Sequence, residues 1–151
     1  MTALQLTSPA FANGGPIPDK YGYTVKNVNP PLEIDGVPEG TRSLALVMDD
    51  PDAVEPAGEI WDHWAVWNID STTSTIPEDW DASGAVQGQN DFGERGYGGP
   101  NPPDREHTYR FRLFALDQQL TLDTGATKDQ LESAMAGKII DETQLEGTYA
   151  P

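Results

Sequence analysis

Gly96-Tyr-Gly-Gly-Pro-Asn-Pro-Pro-Asp-Arg-Glu-His-Thr-Tyr-Arg-Phe-Arg-Leu-Phe-Ala-Leu116 is the stretch whose reading decides the fold. Its first half is glycine and proline. Gly96, Gly98 and Gly99 allow close approach to bare backbone, and Pro100, Pro102 and Pro103 stiffen the loop. In the second half Tyr109, Phe111 and Leu113 alternate with Arg110 and Arg112, the period-2 pattern of a half-buried strand. His107 stands just ahead of that strand. A rigid glycine-lined loop that delivers a histidine to a strand mouth can wall a small-ligand pocket. The structural alternative is a long surface loop entering an ordinary hairpin.

Working upstream, Leu44-Ala-Leu-Val-Met48 is a continuous apolar run between turn signals and predicts a strand buried on both faces. It empties into Asp49-Asp50-Pro51-Asp52, where Pro51 ends the strand. An Asx-turn accounts for one or two of these carboxylates, and a third is free to face a pocket. Residues 53–60 read as an exposed acidic loop. Trp61-Asp-His-Trp-Ala-Val-Trp-Asn-Ile69 is the next strand. Strict alternation puts Trp61, His63, Ala65, Trp67 and Ile69 on one face and Asp62, Trp64, Val66 and Asn68 on the other. Leu4 and Leu6 predict an edge strand, residues 8–20 a loop, and Leu32–Ile34 a short strand. Downstream, Leu120 and Leu122 predict another strand, and Thr127-Lys-Asp-Gln130 is a capping box. Leu131, Ala134, Met135 and Ile139 follow at helical spacing, with Gly137 a point where the helix can stop. Leu145, Gly147 and Tyr149 suggest a last strand.

A length of 151 residues suits one domain, 1–151, with no linker and no internal repeat. Glycine and proline total 28, so turns are frequent and a mainly β fold is expected. The formal net charge of −16 argues against nucleic acid and anionic membranes as partners. The acids are scattered between apolar positions, as on a solvated acidic shell. At 1 M salt a Debye length of ~3 Å mutes their repulsion, and a salt-loving host is expected. The first residues carry neither a basic region nor a long apolar run, which predicts a cytoplasmic protein without membrane insertion. No cysteine is present, so neither disulfides nor thiol chemistry enters. Arg95, Arg105, Arg110 and Arg112 are four of only nine bases and lie in or beside the opening stretch. Arg110 and Arg112, on the strand's other face, are expected to balance nearby acids.

His63 and His107 are the only histidines, with Asp50, Asp52, Trp61 and Tyr109 as candidate neighbours. Three chemistries fit: a metal held by two imidazoles and a carboxylate, a His–Asp general base, or hydrogen-bond donors around a phosphate-like anion. No helix-borne zinc spacing, nucleophile elbow, P-loop or dinucleotide fingerprint supports the first two.

Several segments together resemble the phosphatidylethanolamine-binding protein family, in its bacterial and archaeal Raf kinase inhibitor-like branch. They are Asp50-Pro-Asp52-Ala, Trp61-x-His63-Trp, Gly98-Gly-Pro-x-Pro-Pro103 and His107-x-Tyr109-x-Phe111. Ser8-Pro-Ala-Phe, Asn29-Pro-Pro-Leu32, Gly36-Val-Pro-Glu-Gly40 and Leu145-x-Gly147-Thr-Tyr149 also fit. The chain departs from that pattern at Val54, where proline is usual, at Ile34, where the family has tryptophan, and at Arg105-Glu106, where glycine is frequent.

The resemblance implies a large antiparallel sheet packed on a smaller one, with a few peripheral helices and an anion pocket at one end. By position it assigns ligand binding to Asp50, Trp61, His63, Gly99, Pro100, His107 and Tyr109, with Asp52 bracing the loop. Gly99 is expected to offer a free amide. The expected function is non-enzymatic binding of a phosphate-like group or phosphorylated headgroup, with no cofactor and no metal. The alternatives are a kinase or protease inhibitor acting through its surface, and, further off, a phosphoester hydrolase. A homodimer stays open.

Overall fold

The computed structural model describes residues 3–151. Its centre is a six-stranded sheet. Four long segments build most of it: β4 (Ser43–Asp50), β5 (Trp61–Ile69), β8 (His107–Leu116) and β9 (Ile139–Tyr149). The short strands β2 (Gly15–Pro16) and β7 (Val86–Gln87) complete the order β2-β9-β8-β4-β5-β7. Every pairing is antiparallel except β2 with β9, so the sheet is mixed. A second sheet, β1 (Gln5–Thr7), β3 (Leu32–Asp35) and β6 (Thr75–Ile76), has the order β1-β3-β6. The helices are α1 (Val54–Ala57) and α2 (Lys128–Met135).

The apolar run at Leu44–Met48 lies in β4, every residue of which is buried. That follows from a layer on each face. Leu44, Leu46 and Met48 join Phe111, Leu113 and the small-sheet residues Leu6, Leu32 and Ile34 in one core. Ala45 and Val47 join Trp67, Leu131 and Met135 in a second core under α2. The mainly β architecture of a large sheet against a smaller one is as expected, apart from the one parallel pairing.

Local readings fare unevenly. The Thr127 capping box is formed, and α2 ends at Met135 with Gly137 at φ 78°. Ile139 therefore starts β9 instead of continuing the helix. No strand forms at Leu120–Leu122: the Leu120 amide donates to the Asn68 side chain, and the two leucines serve the α2-side core from a loop. Residues 53–60 are not simply loop, because a helical turn at Pro51–Ala53 leads into α1. The two-residue β2 interrupts the 8–20 loop.

The face assignment on β5 is corrected. Its pairing with β4 shifts register between Met48 and Asp49 and again between Leu44 and Leu46. Asn68, at φ 55°, lies at the second irregularity. Each extra residue reverses the alternation. Ile69 therefore packs with Trp64 and Val66, while Ala65 and Trp67 face α2. At the other end the first shift turns Trp61 and His63 away from the Ala65 face and toward Tyr109 on β8. Asp62 points instead to Lys128 on α2, 2.8 Å away.

Candidate functional site

The ends of β4 and β5, the start of β8, the Pro51–Ala57 turns and the Phe92 and Asn101–Pro103 loops enclose a cavity of about 230 Å³. Asp50, Trp61, His63, His107 and Tyr109, drawn from three strands, all line it. Asp52, Gly99 and Pro100 do not. Asp52 accepts from the Thr108 amide at 2.8 Å, which pins the start of β8 to the turn after β4. The Gly99 amide donates to the Asn27 side chain at 2.7 Å, so it offers nothing to a ligand. The Pro100 carbonyl accepts from the Tyr23 amide. Gly99 is needed for packing: a Cβ there would collide with the Tyr21 carbonyl. Gly99 and Pro100 thus shape the wall from behind.

His107 is almost fully buried, and both of its ring nitrogens meet carboxylates. Nδ1 lies 2.6 Å from Asp50 Oδ2, and Nε2 lies 2.7 Å from Asp104 Oδ1. A carboxylate only accepts, so both nitrogens donate and the ring is an imidazolium. Burial opposes that charge, but the hydrogen bonds His107 donates to Asp50 and Asp104 outweigh it and raise the His107 pKa. Burial likewise lifts the Asp50 carboxyl above its ordinary range, with His107 pulling the other way.

His63 behaves oppositely. Its Nδ1 lies 2.7 Å from the Gly98 carbonyl, so that nitrogen carries the proton. Complete burial drives its pKa down to about 4, and the ring is neutral at pH 7. Its Nε2 is then an acceptor. The expectation that both imidazoles donate to an anion therefore needs correction: in this geometry His63 receives a proton-bearing group. Tyr109 packs edge-on to His63, with ring centroids 5.2 Å apart. Its hydroxyl is buried without a hydrogen-bond partner, and burial raises its pKa. It lies near the Asp50 carboxylate and the Asn101 backbone without a well-formed bond to either.

Sequence reasoning missed Phe92 and Asp104. Phe92 stacks on Tyr23 at 3.9 Å and meets Trp61 and His63 edge-on. Asn90 fixes it, accepting from the Phe92 and Glu94 amides and donating to the Gly96 carbonyl. Asp104 precedes His107 by three residues, a spacing visible in the chain, but only the loop's path brings the two side chains together. That path is held where Arg105 pairs with Glu55 of α1 at 2.8 Å.

On the opposite face of the large sheet, Asp49 is fully buried and accepts two hydrogen bonds from Arg110, at 2.8 and 2.9 Å. Arg112 and Lys128 complete its surroundings. The arginines next to the glycine loop thus balance an acid, as expected, and stay out of the cavity.

Comparison with known proteins agrees with this architecture. The family model for phosphatidylethanolamine-binding protein matches residues 7–150. A UPF0098 protein of Chlamydia pneumoniae is 44% identical over 148 residues, covering 97% of this chain and 98% of its own. One from Methanothermobacter thermautotrophicus is 43% identical over 151 residues, with the same coverage. Among solved structures, a Chlamydia trachomatis protein described as a putative phosphatidylethanolamine-binding protein homolog superimposes with a TM-score of 0.93. It is 43% identical and covers 99% of this chain and 98% of its own. Escherichia coli YbcL, described as a member of the mammalian family, gives 0.90 at 32% identity, covering 98% of each chain. The chain belongs to the phosphatidylethanolamine-binding protein family. Within it, the similarity lies with the bacterial and archaeal branch of the UPF0098 proteins and YbcL.

Proposed function

We propose that this chain is a non-catalytic binding protein whose cavity takes one phosphate-sized oxyanion, free or as a phosphorylated headgroup. The observation that carries the reading is His107, buried beside a cavity of about 230 Å³ with Asp50 2.6 Å from Nδ1 and Asp104 2.7 Å from Nε2, which together favour the charged ring. His107 Nε2 and the Tyr109 hydroxyl supply donors. His63 Nε2 accepts from the ligand's own proton, a P–OH or an ammonium group. Trp61, Phe92 and Tyr109 form the apolar walls. The exposed acids, Glu33, Asp35, Glu39, Glu59 and Glu142 among them, support solubility in a salt-loving host. No helix among the described residues is long and apolar enough to cross a membrane.

The test is an imidazole NMR titration with inorganic phosphate and with phosphoethanolamine. Both His63 and His107 resonances are expected to move, with a single saturating midpoint. Resonances that stay in place at saturating phosphate and phosphoethanolamine would overturn the reading.

A further inference from the structure

We propose that Asp104, which does not itself line the cavity, is an internal ligand of His107: its carboxylate occupies Nε2, the donor that the binding reading assigns to an oxyanion, so an anion that takes Nε2 must displace it. The inference rests on the binding reading above for its ligand, but not for its geometry.

Four observations carry it. The Asp104 carboxylate lies 2.7 Å from Nε2, a charge-assisted hydrogen bond of the kind an oxyanion would make. That contact is not needed to orient the ring, because Asp50 holds Nδ1 at 2.6 Å from a buried position. The two carboxylates differ in freedom: the Asp50 side chain is 4% exposed and the Asp104 side chain 38%. Asp104 therefore has water to turn into, and Asp50 has none. Finally, the Asp104 carboxylate forms no ion pair with a lysine or arginine among the described residues; besides His107, only the neighbouring Asp104 and Arg105 amides and the field of Arg105 act on it. Its backbone, by contrast, is tethered on the C-terminal side. Arg105 binds Glu55, and the Thr108 amide binds Asp52. A side-chain rotation alone can thus vacate Nε2 while the loop keeps its course.

The consequence is competition. Were the contact closed about nine-tenths of the time, the apparent affinity of an external anion would fall about tenfold. It also discriminates among ligands. A simple carboxylate only replaces what is already there, whereas a phosphate brings further oxygens to the Tyr109 hydroxyl and a P–OH to His63.

Binding of inorganic phosphate and of acetate is measured by calorimetry and by the His107 ¹⁵N shifts, at constant ionic strength, for the wild type, Asp104→Ala and Asp104→Asn. Phosphate is expected to bind Asp104→Ala about tenfold more tightly than the wild type, with Asp104→Asn between them. Acetate is expected to shift His107 Nε2 in Asp104→Ala alone. If phosphate binds both the wild type and Asp104→Ala with the same affinity, Asp104 is not a competitor, and the oxyanion-binding reading survives. If acetate moves Nε2 only in Asp104→Ala but phosphate binds no variant, the internal ligand stands and the proposed ligand falls. If neither anion reaches Nε2 in Asp104→Ala, both fail.

Discussion

Replacing His63 with glutamine should remove most of one particular acid sensitivity from this protein. The wild-type imidazole is neutral in the fold, with its pKa lowered from 6.5 to about 4 by burial. The unfolded chain takes up that proton near pH 6.5, while the folded chain refuses it until about pH 4. The stabilisation is therefore complete above pH 6.5 and is lost as the pH falls toward 4. At about 1.4 kcal/mol per pH unit, about 2–3 kcal/mol has gone by about pH 4.5. His63→Gln keeps an N–H for the Gly98 carbonyl and does not titrate. Other groups titrate as well. Asp62, raised to about 6 chiefly by burial, gains a proton in the fold over the same window and works in the opposite direction. His107 acts above pH 6.5, where its raised pKa makes its contribution fade as the pH rises. Only the difference between wild type and variant isolates His63. Urea unfolding at about pH 7.5 and about pH 4.5, at fixed ionic strength, should show the wild type losing about 2–3 kcal/mol more than His63→Gln. Equal losses, or an NMR midpoint for His63 at its ordinary 6.5 or above, would refute the burial account.

Two further outcomes are expected. Asp49→Ala leaves the Arg110, Arg112 and Lys128 cations without their shared carboxylate and should cost about 3–5 kcal/mol in chemical denaturation, with the cavity face retained. Gly99→Ala should lower stability by about 1–3 kcal/mol, read by calorimetry. The new Cβ meets backbone at Tyr21 and Tyr23, which cannot rotate aside as a side chain would.

Much of this site can be read one residue at a time. The glycine–proline loop, the alternation from Tyr109 to Leu113 and the turn at Asp50-Pro51-Asp52 each carry a local signal strong enough to stand alone. Asp50, His63 and His107 are legible as site candidates on that basis, and all three line the cavity. The faces of β5 are not legible. A bulge depends on the partner strand's register, and nothing within Trp61–Ile69 announces where the extra residue falls. Most of β9 is hidden for a related reason. Glu142, Thr143 and Gln144 are polar and at least partly exposed, so an apolar alternation never forms, and their strand exists through pairing with β8.

By itself the chain determined the mainly β class, the buried central strand, the α2 cap and the identity of the titratable side chains, because each follows from local propensity and patterning. The tertiary structure alone decided their chemical states. His63 is an acceptor because its partner is a carbonyl deep in the fold, and His107 is a cation because two carboxylates close on it. Protonation follows from solvent exclusion and neighbouring charge, and those are properties of three-dimensional proximity that residue order does not carry.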